Sequence, residues 1–153
     1  MASTSEAPFQ ALSPIERLFN AAIGALVGLG LGPAHMRVLE VRGRRSGTLY
    51  TLPVDLLAFD GGLYLVAPRG RTQWVRNVAA SEAIVLRRGR RRQRYALRAL
   101  ADGERPPVLK AYLDRFRREV ARFFPVPPDS PVEAFVPLAA RYPAFALTPL
   151  GDA

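Results

Sequence analysis

Two guanidinium groups and a hydroxyl lie between two glycines in Gly43-Arg44-Arg45-Ser46-Gly47, with β-type runs on both sides. Arginine forks and glycine-freed backbone N–H groups are the donors that an oxyanion such as a phosphate requires. Further on, a second basic loop, Ala67-Pro68-Arg69-Gly70-Arg71, leads into Thr72-Gln73-Trp74-Val75-Arg76-Asn77. That stretch reads as a helix start, where free N–H groups and a partial positive charge favour anions. Trp74 and Asn77 share one face of such a helix. Two basic loops at the ends of neighbouring strands predict a cleft for a phosphorylated, partly aromatic ligand. The bland alternatives are a solvated hairpin tip for Arg44 and Arg45, and a packing anchor for Trp74. The glycine, Lys and Ser/Thr spacing is not that of a P-loop.

Composition removes most other chemistries. The chain has 153 residues and no cysteine, so disulfides and thiolates play no part, and its single histidine, His35, forms no metal-binding cluster. His35 reads as a loop or cap residue. No Ser/His/Asp set exists beyond it, and Asp55 has no partner carboxylate nearby in sequence. An enzyme built from these residues would leave its chemistry to a bound cofactor.

The formal net charge is +9, from 22 basic and 13 acidic residues, and Lys110 is the only lysine. Such a balance favours anionic partners, although arginine in place of lysine also follows from a GC-rich genome. The densest charge is Arg87, Arg88, Arg90, Arg91, Arg92 and Arg94, where a hairpin tip needs solvation and edge protection. Nucleic-acid binding is the sharper alternative, but it would call for stacking platforms between the arginines, and Tyr95 by itself is thin support.

These groups must be positioned by a sheet. Met36–Arg42 alternates, Thr48–Phe59 is one long run, and Asp60-Gly61-Gly62 turns into Leu63–Ala67. Pro53 predicts an edge or a bulge within the long run. A short helix over Thr72–Ala80 leads to Ala83–Arg88, and Gly89-Arg90 turns the chain into Arg92–Leu100. Pro106-Pro107 opens a helix reaching Phe124, with Val108, Tyr112, Phe116, Val120 and Phe124 as a core stripe. A short helix over Val132–Arg141 and a final strand at Phe145-Ala146-Leu147 follow. About five or six hairpin-linked strands imply an antiparallel sheet that curls or closes, in a single α+β domain over 1–153.

Before the sheet, residues 1–11 read as a loose tail, and Ser13-Pro14-Ile15-Glu16 opens a helix to about Val27. Leu18 to Ala34 is apolar apart from Asn20 but rich in glycine, which favours packing on the domain; contact with a membrane surface and, less favoured, a true span are the alternatives. No basic n-region precedes it, so a signal peptide is not expected and the cytoplasm is the expected compartment.

Taken in order, Gly43-Arg44-Arg45-Ser46-Gly47, Thr51-Leu52-Pro53, Asp60-Gly61-Gly62, Val66-Ala67, the Arg69-Gly70 loop and Trp74-x-x-Asn77 resemble the deazaflavin (F420)-dependent nitroreductase and quinone reductase family. The resemblance covers roughly Leu18 to Leu100. It implies a split β-barrel related to FMN-binding flavin reductases, with coenzyme F420 as cofactor. On this basis Arg44, Arg45 and Ser46 form the phosphate-gripping turn, and Arg44, Arg45 and Arg69 meet the phosphate and acidic tail. Tyr50, Thr51, Leu52, Pro53, Val54 and Asp55 line the coenzyme. Val66, Ala67, Pro68 and Arg69 form the second loop, and Gln73, Trp74 and Asn77 the helix start. Pro68 departs from the small polar residue common there, and Phe135, Tyr142 and Phe145 match the substrate-side region only loosely.

The implied activity is hydride transfer from reduced deazaflavin to a small organic acceptor such as a quinone or nitro compound. Tyr50 or Tyr142 would supply a proton, and two copies would pair as a homodimer. FMN or haem in the same barrel, or a basic module for nucleic acid or anionic lipid, are the alternatives.

Overall fold

The computed structural model describes residues 34–153. The expected tail, the helix to Val27 and most of the apolar Leu18 to Ala34 segment lie outside them. The strands are β1 (Met36–Arg42), β2 (Leu49–Asp55), β3 (Leu57–Phe59), β4 (Gly62–Val66), β5 (Ala83–Arg88), β6 (Arg91–Ala99) and β7 (Ala144–Asp152). They form one antiparallel sheet in the order β2-β1-β5-β6-β7-β4-β3.

β2 and β3 occupy opposite edges of that sheet, yet only Leu56 separates them in sequence. The sheet must therefore curl until its edges meet, which makes the expected split barrel. The long predicted run is thus one bent ribbon. It pairs with β1 as far as Asp55, opposite Met36, and with β4 from Leu57, opposite Tyr64. Pro53 sits on the β2 edge strand, where a residue without an N–H is tolerated. The irregularity in the sheet falls elsewhere, between β6 and β7. Asp60 and Gly61 both have positive φ, 48° and 76°, the primed turn that an Asp-Gly pair adopts readily.

Closing the sheet creates two cores. The interior holds Leu39, Leu65, Ile84, Leu86, Phe145 and Leu147, and helix α1 (Gln73–Ala79) plugs it with Val75 and Val78. The second core lies where helix α2 (Arg105–Arg115) and the segments after it pack on β3, β4 and β7. Leu57, Val66 and Ala144 meet Leu109, Leu113 and Phe135 there. Adjacent residues Leu65 and Val66 each enter a different core, as strand alternation requires.

All five residues of the predicted stripe are buried, but not on one helix. The helix breaks at Phe116 (φ −111°, ψ 31°), and a short helix α3 (Arg117–Val120) and a 3-10 turn (Ala121–Phe123) follow. On a straight helix Phe124 would lie about 18 Å beyond Tyr112. Instead their ring centroids are 6.3 Å apart, and Phe124 stacks on Tyr142 at 4.4 Å. Ring packing thus outweighs helical continuity.

Val132–Arg141 is helical as predicted, in the tighter 3-10 form and with Pro137 inside it. β7 extends beyond the predicted Phe145-Ala146-Leu147, and its pairing with β6 shifts register where Pro149 and Gly151 stand opposite Tyr95 and Arg94. No helix among the described residues is long and apolar enough to cross a membrane.

Phe116 is buried at the helix break, 5.3 Å edge-on from Tyr112 and 4.6 Å from the His35 ring. Phe116→Ala is expected to destabilise the fold by about 3–5 kcal/mol. Denaturant unfolding checks this, and a loss below about 1 kcal/mol would show that the break can repack.

Candidate functional site

A cleft of about 340 Å³ opens where the β1–β2 loop meets α1, lined by Gly43, Arg44, Arg45, Ser46, Tyr50, Gln73, Trp74 and Asn77. The joint is made by Asn77, whose side chain is buried (5 % exposed) in an otherwise apolar setting. Its Oδ1 accepts from the Arg44 backbone N–H at 3.1 Å and from Arg44 Nη1 at 2.9 Å. The same Nη1 donates to Gln73 Oε1 at 3.0 Å. Arg44 is thereby held in one orientation without losing its charge, since both acceptors are neutral amides.

Arg45, by contrast, is exposed and has no hydrogen-bond or ion-pair partner among the described residues. Ser46 Oγ donates to Thr48 Oγ1 at 3.0 Å and accepts from the Thr48 N–H at 3.2 Å, which shapes the turn. Gly43 is needed for close approach, because a Cβ there would lie 2.8 Å from Tyr50 Cε2 and 3.0 Å from Ser46 Oγ. Tyr50 is 49 % exposed, so its ring walls the cleft while remaining open to solvent. α1 has only seven residues, so its contribution here is the side chains Gln73, Trp74 and Asn77.

The other residues expected at the site lie apart from this cleft. Leu52 and Val54 pack against the barrel core, Thr51 is exposed, and Pro53 is half-buried on the edge strand. Val66 and Ala67 are buried in the two cores, and Pro68 is half-buried beyond them. Arg69 does not join Arg44 and Arg45; its guanidinium sits 4.9 Å from the centre of the Phe123 ring. The Tyr142 hydroxyl donates to the Phe123 carbonyl at 2.6 Å, within the second core. Sequence adjacency suggested that the two basic loops meet, but the first loop meets α1 instead.

Asp55 lies opposite Met36, about 17 Å along β2 from Tyr50 at the cleft. It has partners that sequence spacing could not reveal, since they come from distant segments. His35 Nε2 is 3.3 Å from Asp55 Oδ1 and 3.6 Å from Glu119 Oε1. Both Nε2 and Oδ1 are buried, and neither has an aligned hydrogen bond. Burial pushes the Asp55 carboxyl up to about 7, and the Glu119 charge adds to the push. Burial pulls His35 below its ordinary value, against the opposing pull of Glu119. No group of three His, Cys, Asp or Glu among the described residues could hold a metal ion.

These contacts carry two predictions. Asn77→Leu keeps the volume but removes the acceptor that ties Arg44, and is expected to cost about 1–3 kcal/mol in denaturant unfolding. An unchanged unfolding midpoint would show that the tie holds nothing in place. Asp55 binds its proton more tightly in the fold than in the unfolded chain, so it favours the fold in acid, and that contribution is lost as pH rises through about 7. Asp55→Asn cannot ionise. It is expected to leave stability near pH 4 almost unchanged and to raise it near pH 8.5 by up to about 4 kcal/mol, at about 1.4 kcal/mol per tenfold change in proton affinity. Urea midpoints at both pH values check this, and an equal effect at the two would contradict it.

Comparison with known proteins gives a consistent picture. A family model described as F420H(2)-dependent quinone reductase matches residues 15–122. No curated protein matches the chain. Among solved structures, a domain-swapped dimer is 18 % identical with a TM-score of 0.54, over 88 % of this chain and 93 % of that one. An F420-H2-dependent reductase is 16 % identical with a TM-score of 0.51, over 75 % and 95 % of the two chains. A NimC/NimA family protein from Clostridium acetobutylicum is 12 % identical with a TM-score of 0.50, over 84 % and 80 %. At these identities the structural likeness shows the fold.

Proposed function

Because the chain belongs to the F420H2-dependent quinone reductase family, we propose that the cleft at the β1–β2 loop holds reduced F420 for hydride transfer to a small quinone or nitro acceptor. As a member it is an F420-dependent oxidoreductase. The observation that carries the site assignment is the pairing of a clamped guanidinium, Arg44, with an exposed and unpartnered one, Arg45. That donor set suits a phosphate and acidic tail, and the Trp74 and Tyr50 walls suit a flat ring.

The bound coenzyme supplies the hydride. The protein's part is binding and orientation: Arg45 and the remaining N–H groups of Arg44 hold the anionic tail, and Asn77 and Gln73 keep Arg44 aimed. Gly43 lets the Tyr50 ring lie against the turn. Tyr50, exposed in the cleft, is the tyrosine free to hand a proton to the reduced acceptor, because the Tyr142 hydroxyl is committed to the Phe123 carbonyl. A homodimer fits the same picture. Away from the Leu56 joint, the Leu49 end of β2 lies at the sheet edge with Leu49 and Tyr50 exposed, and a solved structure of similar fold is a domain-swapped dimer.

Titration with F420, read by the coenzyme's fluorescence, tests the site. The parent is expected to bind at micromolar concentration. An Arg44→Ala/Arg45→Ala double variant is expected to bind at least roughly tenfold more weakly, as loss of charge-assisted hydrogen bonds implies. A double variant that binds as tightly as the parent removes the cleft from consideration.

A further inference from the structure

The β5–β6 hairpin carries an electrostatic conflict that coenzyme binding does not use. Arg87 stands directly opposite Arg92 in the ladder, and Val85 opposite Arg94. Like charges directly opposite across an antiparallel pair repel. Strand alternation puts Arg87, Arg92 and Arg94 on one sheet face, the one turned away from the barrel interior that Leu86, Ile84 and Tyr95 occupy. Glu40 takes Arg92 Nε at 3.0 Å. Among the described residues, the side chains of Arg87, Arg90, Arg91 and Arg94 make no hydrogen bond or ion pair.

Beside this face the pairing of β6 with β7 slips. Arg94 opposes Gly151 and Tyr95 opposes Pro149, so Leu150 between them is the unpaired extra residue. Such a bulge re-aims a side chain, and Leu150 is 52 % exposed. An exposed leucine thus adjoins Arg94, in a cluster of arginines of which only Arg92 has a carboxylate partner. Tyr95, the aromatic of the hairpin, is buried and its hydroxyl donates to Gln93 Oε1 at 2.9 Å. No outward ring is left on which a base could stack.

We propose that the outer face of the β5–β6 hairpin, together with Leu150, docks the protein on an anionic phospholipid surface. The arginines meet lipid phosphates, and Leu150 enters the interface. The inference rests on the quinone reading of the proposed function: an apolar quinone partitions into a bilayer, where a protein docked on its surface can reach it. Basic residues near such a surface each contribute about a fivefold gain in affinity, and salt screens them.

The test is co-sedimentation of the purified full chain with vesicles of phosphatidylcholine alone or mixed equally with phosphatidylglycerol, at low and high salt. Binding is expected only with phosphatidylglycerol, and loss of it at high salt. Arg87→Gln/Arg92→Gln/Arg94→Gln is expected to weaken binding roughly 100-fold, and Leu150→Ser to weaken it further, while F420 titration of the same proteins is unchanged. The Arg44→Ala/Arg45→Ala variant is expected to lose coenzyme and keep vesicle binding, so failure of the cleft and failure of the docking face are told apart. If the triple variant does not fold, Arg90→Gln/Arg91→Gln at the hairpin tip carries the same comparison. The proposal is overturned if the parent ignores anionic vesicles, if the arginine variants bind them undiminished, or if duplex DNA or RNA competes the vesicles away at equal phosphate.

Discussion

The structure depends on the single-residue joint at Leu56. A ribbon that leaves β1 at Asp55 and joins β4 at Leu57 forces the two edges of a seven-stranded sheet together. Closure gives the sheet an inside, which α1 seals with Val75 and Val78, and an outside, on which α2 and its successors pack. Sealing by α1 also brings Asn77 under the β1–β2 loop. The cleft is therefore a consequence of how the barrel end is plugged.

Within the cleft, neutral acceptors achieve what carboxylates would not. An Asp or Glu in place of Asn77 or Gln73 would orient Arg44 equally well but would cancel the positive potential offered to an anion. Two amide oxygens fix the guanidinium and leave its charge available, and burial of Asn77 makes the arrangement costly to abandon. Arg45 is left exposed and unpartnered among the described residues beside it, so one tethered and one untethered cation face the same space.

Two electrostatic tensions lie away from the cleft, and they have different origins. The close approach of His35, Asp55 and Glu119 occurs where the bent ribbon passes under the broken helix, so it stems from packing. The like charges of the hairpin lie on the outer face of the sheet, where Arg87 is half-buried, Arg92 is exposed and Glu40 compensates only Arg92. Local rules broken on a surface without a compensating contact point to a partner more readily than those broken in a core.

The sequence alone determined the strands, because alternation and turn chemistry are local: β1 and β5 fall where their patterns predict, and Asp60-Gly61 makes the expected tight turn. It also revealed the Arg44–Arg45–Ser46 turn and the Trp74/Asn77 helix face, since both are contiguous motifs. The tertiary structure alone decided which loops converge. Arg69 turns to Phe123 while Arg44 turns to Asn77, and Asp55 finds His35 and Glu119. It likewise broke the predicted helix at Phe116, where aromatic packing between residues distant along the chain outweighed helix propensity. Periodicity records which face of an element is buried, whereas barrel closure determines what that face meets.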